Sequence, residues 1–154
     1  MMKRSHTYVD GCAFCDIVRG QTDCFKVFEA PYTFAFLDRR PLFPGHCLLV
    51  STSHFATLAE LPDSWIKHVF ADVRMLARAV EQAMNAEGTF VAINNRVSQS
   101  VAHFHVHVVP RRKGDGLKGF FWPRHPYRDS EEIDRVLAAL QSAISSLQKG
   151  RRGS

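Results

Sequence analysis

Three histidines stand at alternate positions in one short apolar run, Ala102-His103-Phe104-His105-Val106-His107-Val108-Val109. A strand sends successive side chains to opposite faces. His103, His105 and His107 therefore share one face, and Ala102, Phe104, Val106 and Val108 take the other. β-branched and aromatic residues favour a strand here, and Pro110 is expected to end it. Packing alone is a poor reason for three imidazoles in a row. Each ring has two nitrogens to satisfy, and a buried unpaired one costs about 1–3 kcal/mol.

The cysteines extend this chemistry. There are four, Cys12, Cys15, Cys24 and Cys47. The start, Met1-Met2-Lys3-Arg4-Ser5-His6, has basic residues with no apolar core behind them, which is not the pattern of a secretory signal. A cytoplasmic location and free thiols or metal ligands are therefore expected, in place of a disulfide framework. A pair spaced like Cys12-Ala13-Phe14-Cys15 can cycle redox states or grip a zinc ion. A redox pair of the thioredoxin kind belongs between a strand and a helix of a βαβ unit, which this region does not suggest. Zinc prefers four ligands in a tetrahedron, and Cys12, Cys15, His54 and His103 would fill a closed, structural site. A different metal reading puts His103, His105 and His107 around one hydrolytic ion with an open position. Same-face residues over that span stretch about 13 Å at roughly 3.3 Å per residue. Two neighbouring rings can share a metal and three cannot, which favours separate jobs for the rings. Cys24 and Cys47 read as small apolar residues in or near the core.

The elements that must position these groups follow from pattern. Residues 1–10 look like a flexible arm, 11–19 like a knuckle leading into a short helix that Gly20 ends, and 150–154 like a disordered tail. Lys26–Glu29 and Thr33–Leu37 read as a hairpin around Ala30-Pro31-Tyr32. Pro41–Gly45 is a loop by its proline and glycine content, and His46–Ser51 a third strand. Leu61, Trp65, Val69, Val73, Leu76, Val80 and Met84 recur at steps of three or four and predict a long helix from Asp63, with Gly88 as its left-handed cap. Thr89–Ile93 is the next strand; a short polar turn then leads back antiparallel into the histidine strand. A last helix starts near Asp129, with Glu132 completing a capping box and Ile133, Val136, Leu137, Leu140, Ile144 and Leu147 as its apolar stripe. The order predicts one α+β domain over 11–149: a mainly antiparallel sheet of about five strands, one long central helix and a C-terminal helix, with helices packed to one side.

Composition narrows the function classes. The chain has 154 residues, 45% hydrophobic and 23% charged, with a formal net charge of +5, the profile of an ordinary globular domain. No run approaches the roughly 18 apolar residues that span a membrane. The positive charge suits an anionic small molecule such as a nucleotide. No nucleic-acid-binding signature is present.

The run Gln99-Ser100-Val101-Ala102-His103-Phe104-His105-Val106-His107-Val108-Val109-Pro110-Arg111, with Phe36-Leu37-Asp38 and Pro41-Leu42-Phe43-Pro44-Gly45-His46 upstream, resembles the histidine triad superfamily over roughly residues 11–112. The Cys12/Cys15 pair is similar to that of its bacterial zinc-containing branch. The resemblance implies a homodimeric nucleotidyl hydrolase or transferase that acts at the α-phosphate of a nucleotide, a nucleoside phosphoramidate or a dinucleoside polyphosphate, with a purine expected. It implies His105 as the nucleophile and a covalent nucleotidyl-histidine. Neutral imidazole, abundant at pH 7, can attack in line when one nitrogen is free and the other pinned, and the His103 carbonyl is the expected pin. His107 would contact the phosphate or the bridging atom, and Gln99 and Ser100 the phosphate and leaving group. Asp38 would accept from the ribose hydroxyls, Asn94 would lie near nucleoside and phosphate, and Phe14, Ile17, Phe36 and Arg39 would wall the base. Structural zinc would be held by Cys12, Cys15, His54 and His103.

Three features depart from that pattern. The turn Asn94–Gln99 is about two residues short and carries Ser98 where a glycine is usual. The segment 114–124 combines glycines with aromatics and reads as a plug or a substrate-selecting lid. His46 and His125 have no assigned role. The shortened turn also raises a second reading, a nucleotide-binding regulatory protein with weak or vestigial activity.

Overall fold

Alternation along the strands decides how the sheet divides its two faces. The computed structural model describes residues 6–117 and 125–152, with side chains to residue 147. These residues form two units, one up to Asp115 and one from Gly116 onward, and each is described by itself. The first unit runs α1 (Ala13–Val18), β1 (Lys26–Glu29), β2 (Thr33–Leu37), β3 (Cys47–Ser51), a single 3-10 turn (Leu58–Glu60), α2 (Asp63–Met84), β4 (Gly88–Ala92) and β5 (His105–Arg111). The strands form one antiparallel sheet in the order β1-β2-β3-β5-β4. This is the α+β architecture that the pattern predicts. The Ala30 N–H donates to the Thr33 carbonyl at 2.8 Å and closes the first hairpin turn.

Register sorts the side chains. Phe34 pairs with Val50 and Phe36 with Leu48, and these in turn pair with His105 and His107. One face therefore reads Phe34-Val50-His105 and Phe36-Leu48-His107 across three strands. The other carries Ala35, Leu49 and Val106, and packs beneath Val69, Val73, Leu76 and Val80 of α2. Burying each such aliphatic side chain is worth about 1.5–3 kcal/mol. The Thr33 hydroxyl adds a bond to Asp72 Oδ2 at 2.6 Å, tying β2 to α2. α1 lies on the histidine face, where Phe14 and Cys15 pack with Phe34, Phe36, Leu48 and Val50. Helices thus cover both faces, against the expected packing to one side, because the site face is too apolar to stand open.

Several local expectations are corrected. The left-handed cap of α2 is Asn85 (φ 47°, ψ 42°), and Gly88 opens β4; asparagine tolerates this conformation. The histidine strand begins at His105, not Ala102, because the His103 N–H turns back to the Val101 carbonyl at 2.8 Å. Pro110 does not end β5 but lies within it, opposite Thr89. Pairing with β3 stops at Val108, so the missing N–H leaves no carbonyl of β3 short. The arm is tied down from residue 6: His54 N–H donates to the Thr7 carbonyl at 2.7 Å, and Thr7 N–H to Ser53 Oγ at 3.2 Å.

The second unit contains α3, Ser130–Arg152. Its start matches the capping box: Glu132 N–H donates to Asp129 Oδ1 at 2.7 Å, and Glu132 Oε2 accepts from Arg128 N–H at 2.7 Å. The helix runs on through Gly150, where a disordered tail was expected; one glycine costs a helix only about 1 kcal/mol. The stripe from Ile133 to Leu147 is exposed. Residues 118–124 of the glycine–aromatic segment, residues 1–5 and residues 153–154 lie outside the described residues.

Gly45 packs its backbone against Met84 of α2. It adopts φ +92°, and a Cβ there would lie 2.6 Å from Met84 Cγ. Gly45→Ala is expected to lower stability by about 1–3 kcal/mol, measured by urea denaturation. An unchanged midpoint would show that the loop relaxes freely.

Candidate active site and metal centre

His103 has no exposed surface, and both its nitrogens are engaged. Its Nε2 lies 2.9 Å from the Ser51 carbonyl, which can only accept, so the ring proton is on Nε2 and Nδ1 carries the lone pair. That lone pair faces Cys12 Sγ at 3.4 Å and Cys15 Sγ at 3.6 Å. His54 Nδ1 lies 3.4 Å from Cys15 Sγ, and the four ligand atoms are all within 4.8 Å of one another. A tetrahedral zinc with Zn–S near 2.3 Å and Zn–N near 2.0–2.1 Å sets sulfur and nitrogen about 3.5 Å apart. The observed spacings fit that ion. Burial pushes the Cys15 thiol above its ordinary value, so a cation binding here displaces its proton. The structure brings together all four residues that the sequence assigned to the metal.

His105 follows two residues later. Its Nδ1 lies 2.7 Å from the His103 carbonyl, so Nδ1–H donates and Nε2 carries the lone pair. The pin expected from the sequence is in place. The ring is 2% exposed, with the edge of Phe14 at 5.1 Å and the His107 ring at 5.0 Å between centroids. Burial holds its pKa below the usual value, against the smaller pull of the His103 carbonyl and Asp38. Burial pushes His107 down to about 4, helped by His105 and His46 and opposed by Asp38. Both rings are therefore neutral at pH 7. The three histidines do not converge on one ion: His103 turns to the cysteines, His105 to a carbonyl, and His107 to His46.

Asp38 follows β2, half-buried, with Oδ1 accepting from the Arg40 N–H at 2.8 Å. It forms a second cluster with His46 and His107, ligand atoms within 4.8 Å. Phe14 and Phe36 meet edge-on at 5.6 Å. Beyond them Ile17, Cys24, Phe34 and Lys26 line a cavity of about 350 Å³. Arg39 is exposed, its guanidinium donating to the Asp23 carbonyl. The loop residues are placed differently. Gln99 Oε1 accepts from the Arg96 N–H at 2.8 Å and its Nε2 donates to the Ala56 carbonyl at 2.6 Å, so its amide is spent on the loop. Asn94 Nδ2 donates to the Ser98 carbonyl at 3.2 Å. Ser100 is exposed. No hydrogen bond joins these three to the histidine row among the described residues. Ser98 has φ +58°, which accounts for the value of a glycine at its position.

Two functional groups escaped the sequence reading. Ser51 supplies the carbonyl that orients His103, and a backbone group leaves no trace in side-chain pattern. His46 is 3% exposed and sits 3.0 Å from His107 Nδ1. Its place after Pro44-Gly45 was the available signal.

The buried rings make stability depend on pH. His107 titrates near 6.5 when unfolded and at about 4 when folded, and the His46 pKa is also lowered. Between those values the unfolded chain binds more protons, so stability is full above about 6.5 and is lost as the pH falls toward 4. The melting temperature is expected to fall over this window, with a shallower slope in His107→Gln. An identical slope in that variant would remove His107 as a cause.

Comparison with known proteins agrees with this geometry. The HIT domain model matches residues 19–114, a span that leaves Cys12, Phe14, Cys15 and Ile17 outside it. An adenosine 5'-monophosphoramidase of Schizosaccharomyces pombe is 35% identical over 137 residues, 88% of this chain and 96% of that protein. An adenylylsulfatase of Arabidopsis thaliana is 29% identical over 150 residues, 93% of this chain and 74% of that protein. Among solved structures, a zinc-bound histidine triad family protein of Mycobacterium smegmatis superposes with a TM-score of 0.66 at 34% identity, covering 86% of this chain and 97% of that one. The matched span, the shared fold and the histidine row agree: the chain belongs to the HIT domain family.

Proposed function

We propose that the protein hydrolyses a nucleotide substrate at its α-phosphate through a covalent nucleotidyl-histidine on His105. One observation carries this reading: the His105 Nδ1–H is spent on the His103 carbonyl at 2.7 Å, which leaves Nε2 as an unprotonated nucleophile. The names of the relatives, a phosphoramidase and an adenylylsulfatase, support the reaction class. Nε2 attacks phosphorus in line; as the P–N or P–O bond breaks, the bridging atom takes the bonding pair and a proton from His107, and water then cleaves the phosphorus–imidazole bond and returns a proton to His107. Asp38 receives the ribose hydroxyls, His107 meets the phosphate or bridging atom, and the Ser100 hydroxyl meets the phosphoryl oxygens. Gln99 and Asn94 serve by holding the loop that carries Ser100. Phe14, Ile17, Phe36 and Arg39 surround the base, a purine.

Zinc is the proposed occupant of Cys12, Cys15, His54 and His103, in a structural role that fastens α1 against the strand-leading residue. The same reading makes the protein a cytoplasmic homodimer. Free cysteines, and no described helix long and apolar enough to cross a membrane, accord with that location. The outer edge of β4, where Phe90 and Val91 are exposed, accords with a partner subunit.

Incubation with adenosine 5'-phosphoramidate and quenching in alkaline detergent, which spares the acid-labile phosphorus–imidazole bond, should trap a nucleotidylated protein in the wild type. His105→Ala should trap none and lose activity by at least about 1,000-fold. Full turnover by that variant would sink the reading. Metal removal by a strong chelator should lower the melting temperature by about 10 °C, consistent with about 3 kcal/mol of folding energy. Re-addition of zinc should restore it, and Cys15→Ala should show neither effect.

A further inference from the structure

His46 lies beside the row without belonging to it. Its surroundings allow only one arrangement of protons. The Leu42 backbone N–H lies 3.1 Å from His46 Nδ1. A backbone amide only donates, so Nδ1 must hold the lone pair, and the neutral ring carries its proton on Nε2. Asp38 Oδ2 would favour the opposite tautomer, but at 3.7 Å it is outside hydrogen-bond reach. His46 Nε2 in turn lies 3.0 Å from His107 Nδ1. Since His46 donates there, His107 Nδ1 accepts, and the single proton of His107 is on its far nitrogen, Nε2. The reverse chain would set the Leu42 N–H against a protonated Nδ1, two donors face to face, in a ring that is 3% exposed and has little water to turn to.

We propose that His46 is a positioning residue that locks His107 in the Nε2–H tautomer, so that His107 offers a hydrogen bond to the bridging atom of the leaving group. The inference rests on the reaction proposed above. The loop is built for the lock. Gly45 takes φ +92° and the His46 N–H reaches back to the Phe43 carbonyl at 3.0 Å, which wraps Leu42 over its own ring. Two neighbouring histidines thereby hold opposite tautomers. His105 has its lone pair on Nε2 because a carbonyl takes the Nδ1 proton; His107 has its proton on Nε2 because a donor occupies Nδ1. One presents a nucleophile and the other a donor, both neutral. A His107 in the other tautomer would turn a lone pair on the leaving group and phosphoryl oxygens. The groups that face this pair are Asp38, His105 and the Leu42 amide.

The consequence depends on the leaving group. An amine, or another strongly basic group, needs the hydrogen bond as negative charge builds on the bridging atom. A nitrophenolate does not. With the protein labelled in its histidine nitrogens, proton–nitrogen correlation spectra should show Nε2–H tautomers for His46 and His107 in the wild type. His46→Phe should move His107 toward the Nδ1–H tautomer while the His103 and His105 signals persist. His46→Gln, whose amide can still donate, should keep the Nε2–H form. In kcat/KM, His46→Phe should lose about 100-fold on an adenosine 5'-alkylphosphoramidate and less than about 5-fold on an adenosine 5'-nitrophenyl phosphate. His46→Gln should stay near wild type on both. An Nδ1–H form of His107 in the wild type, or an equal loss on both substrates, would overturn the lock. Absence of turnover by the wild type on either substrate would instead overturn the reaction, while the spectra still report the tautomers.

Discussion

The His103 carbonyl is the joint on which the site depends. It accepts the His105 Nδ1–H at 2.7 Å, and the imidazole of the same residue faces two thiols at 3.4 and 3.6 Å. One residue therefore faces the cysteine cluster through its side chain and His105 through its main chain. Displacing the ring displaces the carbonyl, and His105 then loses both its orientation and its tautomer. The Ser51 carbonyl makes this joint stiff by holding His103 Nε2 at 2.9 Å. This arrangement of a ligand set by an outer hydrogen bond is common around metals.

The sheet supplies the rest by its two-residue period. Val50 and Leu48 stand between the aromatic residues of β2 and the histidines of β5, so Phe34, Phe36, His105 and His107 share one apolar floor. The floor has an electrostatic effect. Charged imidazole is costly where water is scarce, so burial keeps the rings neutral, and a neutral ring with one nitrogen engaged is left with a definite role for the other. Phe14 ties the two themes together. It stands between Cys12 and Cys15 in sequence and edge-on to both His103 and His105 in space.

Much of this was legible in the sequence. The long helix, the strands and the capping box of α3 follow from periodicity and end signals that survive any packing. The metal set followed from ligand arithmetic, and the His103 pin from the needs of a nucleophile. The errors were local. Pro110 reads as a stop because the sequence does not say which neighbour a strand lacks. Gly88 reads as a cap because glycine is the commonest residue there, whereas Asn85 takes the left-handed position. The resemblance implies Gln99 as a contact of the phosphate and leaving group; in the structure its amide meets backbone groups of Arg96 and Ala56, partners that side-chain pattern does not reveal.

Sequence by itself determined which chemistry is available: imidazoles at alternate positions, two thiols two residues apart, a carboxylate after an aromatic strand. Residue type and spacing are local properties and need no fold to be read. Tertiary structure alone decided what each imidazole does, because a histidine carries two interchangeable nitrogens and its role is set by whatever meets them. A carbonyl two residues back claims Nδ1 of His105, thiols ninety-one and eighty-eight positions away face Nδ1 of His103, and a ring sixty-one positions away meets Nδ1 of His107. Identical side chains meet thiols, a carbonyl and a second imidazole, partners that only the folded chain brings within reach.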